Sequence, residues 1–115
     1  MWIITPIGFF SIVRKREDLA TGMLTVRARV RSDLEALRAL CPELGDIVES
    51  PYNDYAFRAR GPKAAVGAAI GKLTEDIDYS NFKAAVGARQ GLDREHLYHG
   101  VWDVLYRLQR PERGG

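Results

Sequence analysis

The chain has 115 residues, 46% of them hydrophobic and 28% charged, which is the size and composition of one ordinary globular domain. Its formal net charge is only +2, so any electrostatic function must come from where charges sit and not from their sum. The single cysteine, Cys41, excludes an intramolecular disulfide and a thiolate-rich metal site, and no apolar run approaches the ~20 residues that cross a bilayer.

Residues 1–15 are apolar almost throughout, interrupted by Pro6 and Gly8. That predicts a strand over 8–14, covered on both faces. The opening M-W-I-I-T-P has no basic n-region and no long apolar core, so no signal peptide is expected, and the expected location is cytoplasmic. A polar connection ending at Gly22 leads into M-L-T-V-R-A-R-V-R at 23–31. Here Leu24, Val26, Ala28 and Val30 alternate with Thr25, Arg27, Arg29 and Arg31, so a strand would place the arginines together on one face. Ser32 with Glu35 three residues on reads as a capping box for a helix ended by Pro42.

An extended region over 46–50, the turn P-Y-N-D, and a strand over 55–60 then predict a hairpin. In its second strand Tyr55, Phe57 and Ala59 point inward, while Arg58 and Arg60 point out. Gly61-Pro62 opens a helix rich in alanine and glycine, whose Gly67 and Gly71 are expected to allow close packing on the sheet. Asp78 is the expected cap of a short helix near 82–89. The last helix carries Leu97, Val101, Val104, Leu105 and Leu108 at helical spacing, which predicts its core stripe; Pro111 ends it.

These elements give an α+β fold: two layers, an antiparallel sheet of about four strands with helices on one face, in the order ββαββααα. The expected organisation is one domain over 1–110 and a frayed tail over 111–115.

M-W-I-I-T-P-I-G-F-F-S-I-V-R-K at 1–15, L-T-V-R-A-R-V-R at 24–31, D-I-D-Y-S-N-F-K at 76–83 and Y-H-G-V-W-D-V-L at 98–105 together resemble a group of short uncharacterised bacterial proteins that open M-W-I-x-T-x-x-G-F-F-S-I-V. The likeness runs over nearly the whole chain. It implies a stand-alone bacterial domain and brings no activity, cofactor or site residues.

Two groups of side chains carry the functional expectations. Arg27, Arg29, Arg31, Arg58 and Arg60 form a basic sheet face suited to phosphate anions or nucleic acid, with Phe9 or Tyr52 as a stacking partner. The competing expectation is a solvated face whose arginines pair with Asp46 and Glu49. Tyr98, Trp102 and Tyr106 recur every four residues and suit a half-buried surface for a protein partner or a second copy. His96, His99 and Asp103 share a helix face but lack the H-E-x-x-H order, so no metal is expected. No phosphate loop, nucleophile elbow or acid–base pair is visible. The expectation is a non-enzymatic interaction module with no cofactor; the alternative is nucleic-acid or phosphate binding through the basic face.

Overall fold

The structure is a computed structural model and describes residues 1–109. Five strands, β1 (Trp2–Thr5), β2 (Gly8–Val13), β3 (Met23–Ala28), β4 (Val48–Glu49) and β5 (Phe57–Pro62), form one antiparallel sheet in the order β1-β2-β3-β5-β4. Four helices, α1 (Arg31–Leu40), α2 (Lys63–Glu75), α3 (Phe82–Gln90) and α4 (Leu92–Tyr106), complete an α+β fold. The chain divides into two compact units: Met1–Asp78 holds the sheet, α1 and α2, and the second, beginning at Tyr79, holds α3 and α4. The expected tail and the Pro111 stop lie outside the described residues.

In the first unit, α1 and α2 cover one face of the sheet. Phe10, Ile12, Val26, Ala28 and Ala59 meet Leu34 and Leu37 of α1 and Val66 and Ala69 of α2 in the core. The strand β1 is the element the sequence pattern did not separate. Residues 1–15 are two strands joined by a tight turn, with Thr5 opposite Gly8. The Thr5 hydroxyl accepts from the Ile7 and Gly8 amides and donates to the Gly8 carbonyl, so the turn satisfies its own polar groups while buried.

Strand β3 stops at Ala28, three residues earlier than the alternation suggests, because Arg31 already opens α1. The expected capping box does not form. Val30 occupies the N-cap, Ser32 is exposed, and Glu35 instead pairs with Arg31 at 2.9 Å. Asp33, in the first turn, takes over the anchoring: its buried carboxylate accepts the Phe9 amide at 3.0 Å. A carboxylate there also complements the positive end of the helix. Helix α2 buries Val66 and Ala69 and leaves Gly67 and Gly71 exposed with open space around them, so its glycines do not serve the sheet contact.

In the second unit α3 and α4 form a helical hairpin turned at Gly91, whose φ of +95° is available to glycine at little cost. Asn81, not Asp78, caps α3, its side chain accepting the Ala84 amide at 2.9 Å. The contact between the helices is aromatic: Tyr98 is buried and stacks on Phe82 with ring centroids 6.1 Å apart, and Val86 of α3 is fully buried. The stripe expected to be core is outside. Leu97, Val104, Leu105 and Leu108 are 64%, 54%, 56% and 76% exposed. A two-helix hairpin buries one side of each helix, and the ridge carrying Tyr98 takes that side.

Candidate nucleic-acid interface

The strand register writes the outer face of the sheet. Trp2 stands opposite Ser11, Ser11 opposite Arg27, Arg27 opposite Arg58, and Arg58 opposite Val48. These five residues form one row across all five strands, spaced by the ~4.8 Å of neighbouring strands. The row has an exposed indole at one end and two guanidiniums in the middle. Trp2 is 72% exposed and meets Phe9 edge-on at 5.9 Å; Phe9 in turn lies 6.3 Å from Tyr55.

Tyr55 organises the cations. It precedes β5 instead of lying within it, and its ring is buried beneath arginines on the outer side, not in the core as the alternation suggests. The Arg27 and Arg29 guanidiniums sit 4.6 and 4.5 Å from its centroid. Arg27 also donates to Ser11 Oγ at 2.7 Å, and Arg29 to the Asp54 carbonyl at 2.8 Å. Each cation–π contact contributes ~0.5–1 kcal/mol. That is about the size of the repulsion between two such charges a few ångströms apart in a watery dielectric, ~1 kcal/mol at 4 Å. Tyr55 therefore gathers the charges without neutralising them.

The expected carboxylate partners do not reach this cluster. Among the described residues, no ion pair forms on Arg27, Arg29 or Arg58, and Asp46 pairs instead with Arg38 of α1 at 3.4 Å. The buried Nε of Arg27 and of Arg58 has no acceptor. Those buried atoms are out of a ligand's reach; it is the missing counter-charge on the half-buried Arg27 and Arg58 and the exposed Arg29 that suits the cluster to phosphate oxygens.

The other two arginines are placed differently. Arg31 lies on α1 and pairs with Glu35, away from the row. Arg60 is on the outer side of β5 but is neutralised by Asp18, whose carboxylate is fully buried: Arg60 Nε and Nη2 approach Asp18 Oδ1 at 2.8 and 2.7 Å. Oδ2 accepts from the Thr25 hydroxyl at 2.7 Å and the Lys15 amide at 2.8 Å. Burial pushes the Asp18 pKa up, but the hydrogen bonds from Thr25, Lys15 and Arg60 with the Arg60 charge outweigh it, and the net direction is down.

A cleft of about 340 Å³ opens beside this pair, lined by Glu17, Thr25, Asp46, Val48, Arg58 and Arg60. Its two carboxylates disfavour a phosphate, so the anion-facing side is the Arg27–Arg29–Tyr55 end. Tyr52, on the turn before β5, is fully exposed.

On the second unit, Tyr98 is buried, Tyr106 half-buried and Trp102 51% exposed. Trp102 stacks between His99 and Tyr106 at 5.6 and 5.2 Å. Lys83 Nζ lies 2.8 Å from His99 Nδ1 and 5.1 Å from the Trp102 ring, while His99 Nε2 faces Asp103 at 3.7 Å. Of the His99 ring nitrogens Nδ1 is hydrogen-bonded and Nε2 only lies near a carboxylate, and no grouping suited to a metal ion occurs among the described residues. Cys41 is a buried free thiol, and burial, with Glu43 adding to it, pushes it above its ordinary value. No described helix is long and apolar enough to cross a membrane.

Sequence reasoning found the two arginines of the row, and Phe9. It missed Trp2 because β1 was merged with β2. The available signal was the W-I-I-T run itself, aromatic and β-branched, ahead of a proline. Comparison of the chain with protein-family models, with curated proteins and with solved structures finds no match.

Proposed function

We propose that the protein is a non-enzymatic binding module of the bacterial cytoplasm that takes single-stranded nucleic acid on the outer face of its sheet. One observation carries this reading: three guanidiniums without a carboxylate partner converge around Tyr55, Arg58 through the Tyr55 carbonyl, beside the exposed Trp2 and the half-buried Phe9. Arginines supply phosphate contacts, and an exposed indole supplies a platform for an unpaired base. A duplex keeps its bases stacked inside and would use only the charges, so the pairing of rings with cations favours single strands. The test uses Trp2 as its own reporter. With Trp102→Phe removing the other indole, an added oligonucleotide should quench the fluorescence of Trp2 and saturate; no quenching at low salt would remove the reading.

A second reading, an interaction module for protein, is favoured by a different observation: the exposed Trp102 and the apolar ridge of α4.

A further inference from the structure

We propose that the apolar ridge of α4 is a self-association surface, on which α4 of a second copy packs antiparallel. The inference rests on the protein-interaction reading and is independent of the sheet face.

Leu97, Val101, Val104 and Leu108 are separated by four, three and four residues, the a/d spacing of a helical packing seam. Three of the four are more than half exposed and Val101 is half-buried. Leu108 extends the seam just past the helix, in a turn held by its amide to the Leu105 carbonyl at 3.0 Å. Along this seam, with the exposed Leu105 flanking it, residue type and spacing are palindromic: Leu, Val, Val, Leu reads the same from either end. A two-fold axis perpendicular to the helix therefore sets Leu97 against the partner copy's Leu108, and Val101 against its Val104, so one two-fold axis covers the whole seam. A C2 interface requires such self-complementarity, whereas an unrelated partner imposes no palindrome.

Gly100 is a separate observation. It lies in the middle of α4, where glycine weakens a helix relative to alanine, and a Cβ built there meets nothing within 4 Å in the chain. The fold does not need the missing side chain. The same open space surrounds Gly67 and Gly71 of α2, but Gly100 lies beside the seam, where a neighbouring helix would use it. The charges do not oppose this packing: α4 carries Asp93, Glu95 and Asp103 against Arg94 and Arg107 just beyond its end. The seam spans less than two heptads, so the dimer is weak and concentration-dependent.

Sedimentation equilibrium of the full chain over a wide concentration range tests this. The apparent mass should rise from the 12.9 kDa of one chain towards twice that, and Leu97→Glu should hold it at one chain while helix content by circular dichroism is unchanged. Disulfide cross-linking tests the direction, since the native Cys41 is buried. A mixture of Leu97→Cys and Leu108→Cys chains should cross-link with each other, while either alone should not, because like positions sit roughly 16 Å apart along the axis at 1.5 Å per residue. A strict monomer at the highest concentration overturns the proposal. So does a dimer that Leu97→Glu leaves intact, or cross-linking of Leu97→Cys with itself. If the chain stays monomeric yet Leu97→Glu abolishes capture of a different protein, the self-association fails and the protein-interaction reading stands; if neither binding occurs, both fail.

Discussion

Arg60 reaches Asp18 across 42 residues of sequence, with two nitrogens on one carboxylate oxygen. This pair fastens the segment between β2 and β3 to the sheet. The carboxylate is fully buried and the arginine side chain is 41% exposed. Removing the acid thus leaves a cation that water can still reach. Breaking a fully buried pair costs about 3–5 kcal/mol; with one partner half-exposed, Asp18→Asn should cost ~2–3 kcal/mol, read by urea unfolding at neutral pH.

The same site sets an acid limit. Asp18 is held below its ordinary value of 3.8 in the folded state, so the folded protein binds this proton less readily than the unfolded chain. Its contribution is complete above the unfolded pKa and is lost as pH falls through the lower folded one. Stability should therefore fall on acidification below about pH 4, and Asp18→Asn should flatten that part of the profile. An identical acid profile in the variant would contradict this assignment.

Gly8 is fixed by packing. A Cβ at this position would lie 2.5 Å from Asp33 Cγ and 2.7 Å from Asp33 Cβ. Asp33 cannot retreat without releasing the Phe9 amide that it accepts at 3.0 Å. Gly8→Ala should destabilise the first unit by about 2–3 kcal/mol, checked by thermal or urea denaturation.

In the second unit the aromatic and leucine ridges of α4 should behave oppositely. Tyr98→Ala removes a buried ring from its stack on Phe82 and should cost ~3 kcal/mol. Leu97→Ala, at 64% exposure, should stay within ~0.5 kcal/mol at concentrations where the chain is monomeric. Helical circular dichroism on heating separates the two.

The arginines of the outer face should divide by placement. Arg27→Glu with Arg58→Glu should abolish oligonucleotide binding; the pair also removes the Arg27 bond to Ser11 and sets two carboxylates opposite each other, so some stability is lost and retention of the fold is checked by circular dichroism. Trp2→Ala should weaken binding by about fivefold to 150-fold, the size of one lost base stack at ~1–3 kcal/mol. Arg31→Glu, on α1 and paired with Glu35, should leave affinity nearly unchanged. Polarisation of a labelled oligonucleotide measures all three.

What was legible in the sequence follows where one local rule acted alone. The alternation around Val26 and Ala59 has period two, and the structure keeps it: Val26 and Ala59 are in the core, and Arg27 and Arg58 pair opposite each other on the other face. Patterns failed where a tertiary contact competed. Ser32 and Glu35 had the spacing of a capping box, but Asp33 anchors the helix through Phe9 from another hairpin. Tyr55 fitted an inward alternation, but Arg27 and Arg29 draw its ring to the other side. On α4 two apolar ridges were available, and periodicity alone could not say which one α3 would cover.

Binding at the sheet face has a salt dependence fixed by its three arginines. A fluorescent single-stranded oligonucleotide is titrated with the protein by polarisation at increasing salt. Three arginines engaging phosphates of a single strand give a slope near −2 in log affinity against log salt, at about 0.7 per contact. Affinity should thus drop about twentyfold between 50 and 200 mM salt, and a matched duplex should bind more weakly than the single strand, since it offers no unpaired base to Trp2. A flat titration at low salt for both DNA and RNA, or saturable binding unchanged by Arg27→Glu with Arg58→Glu, would contradict the account.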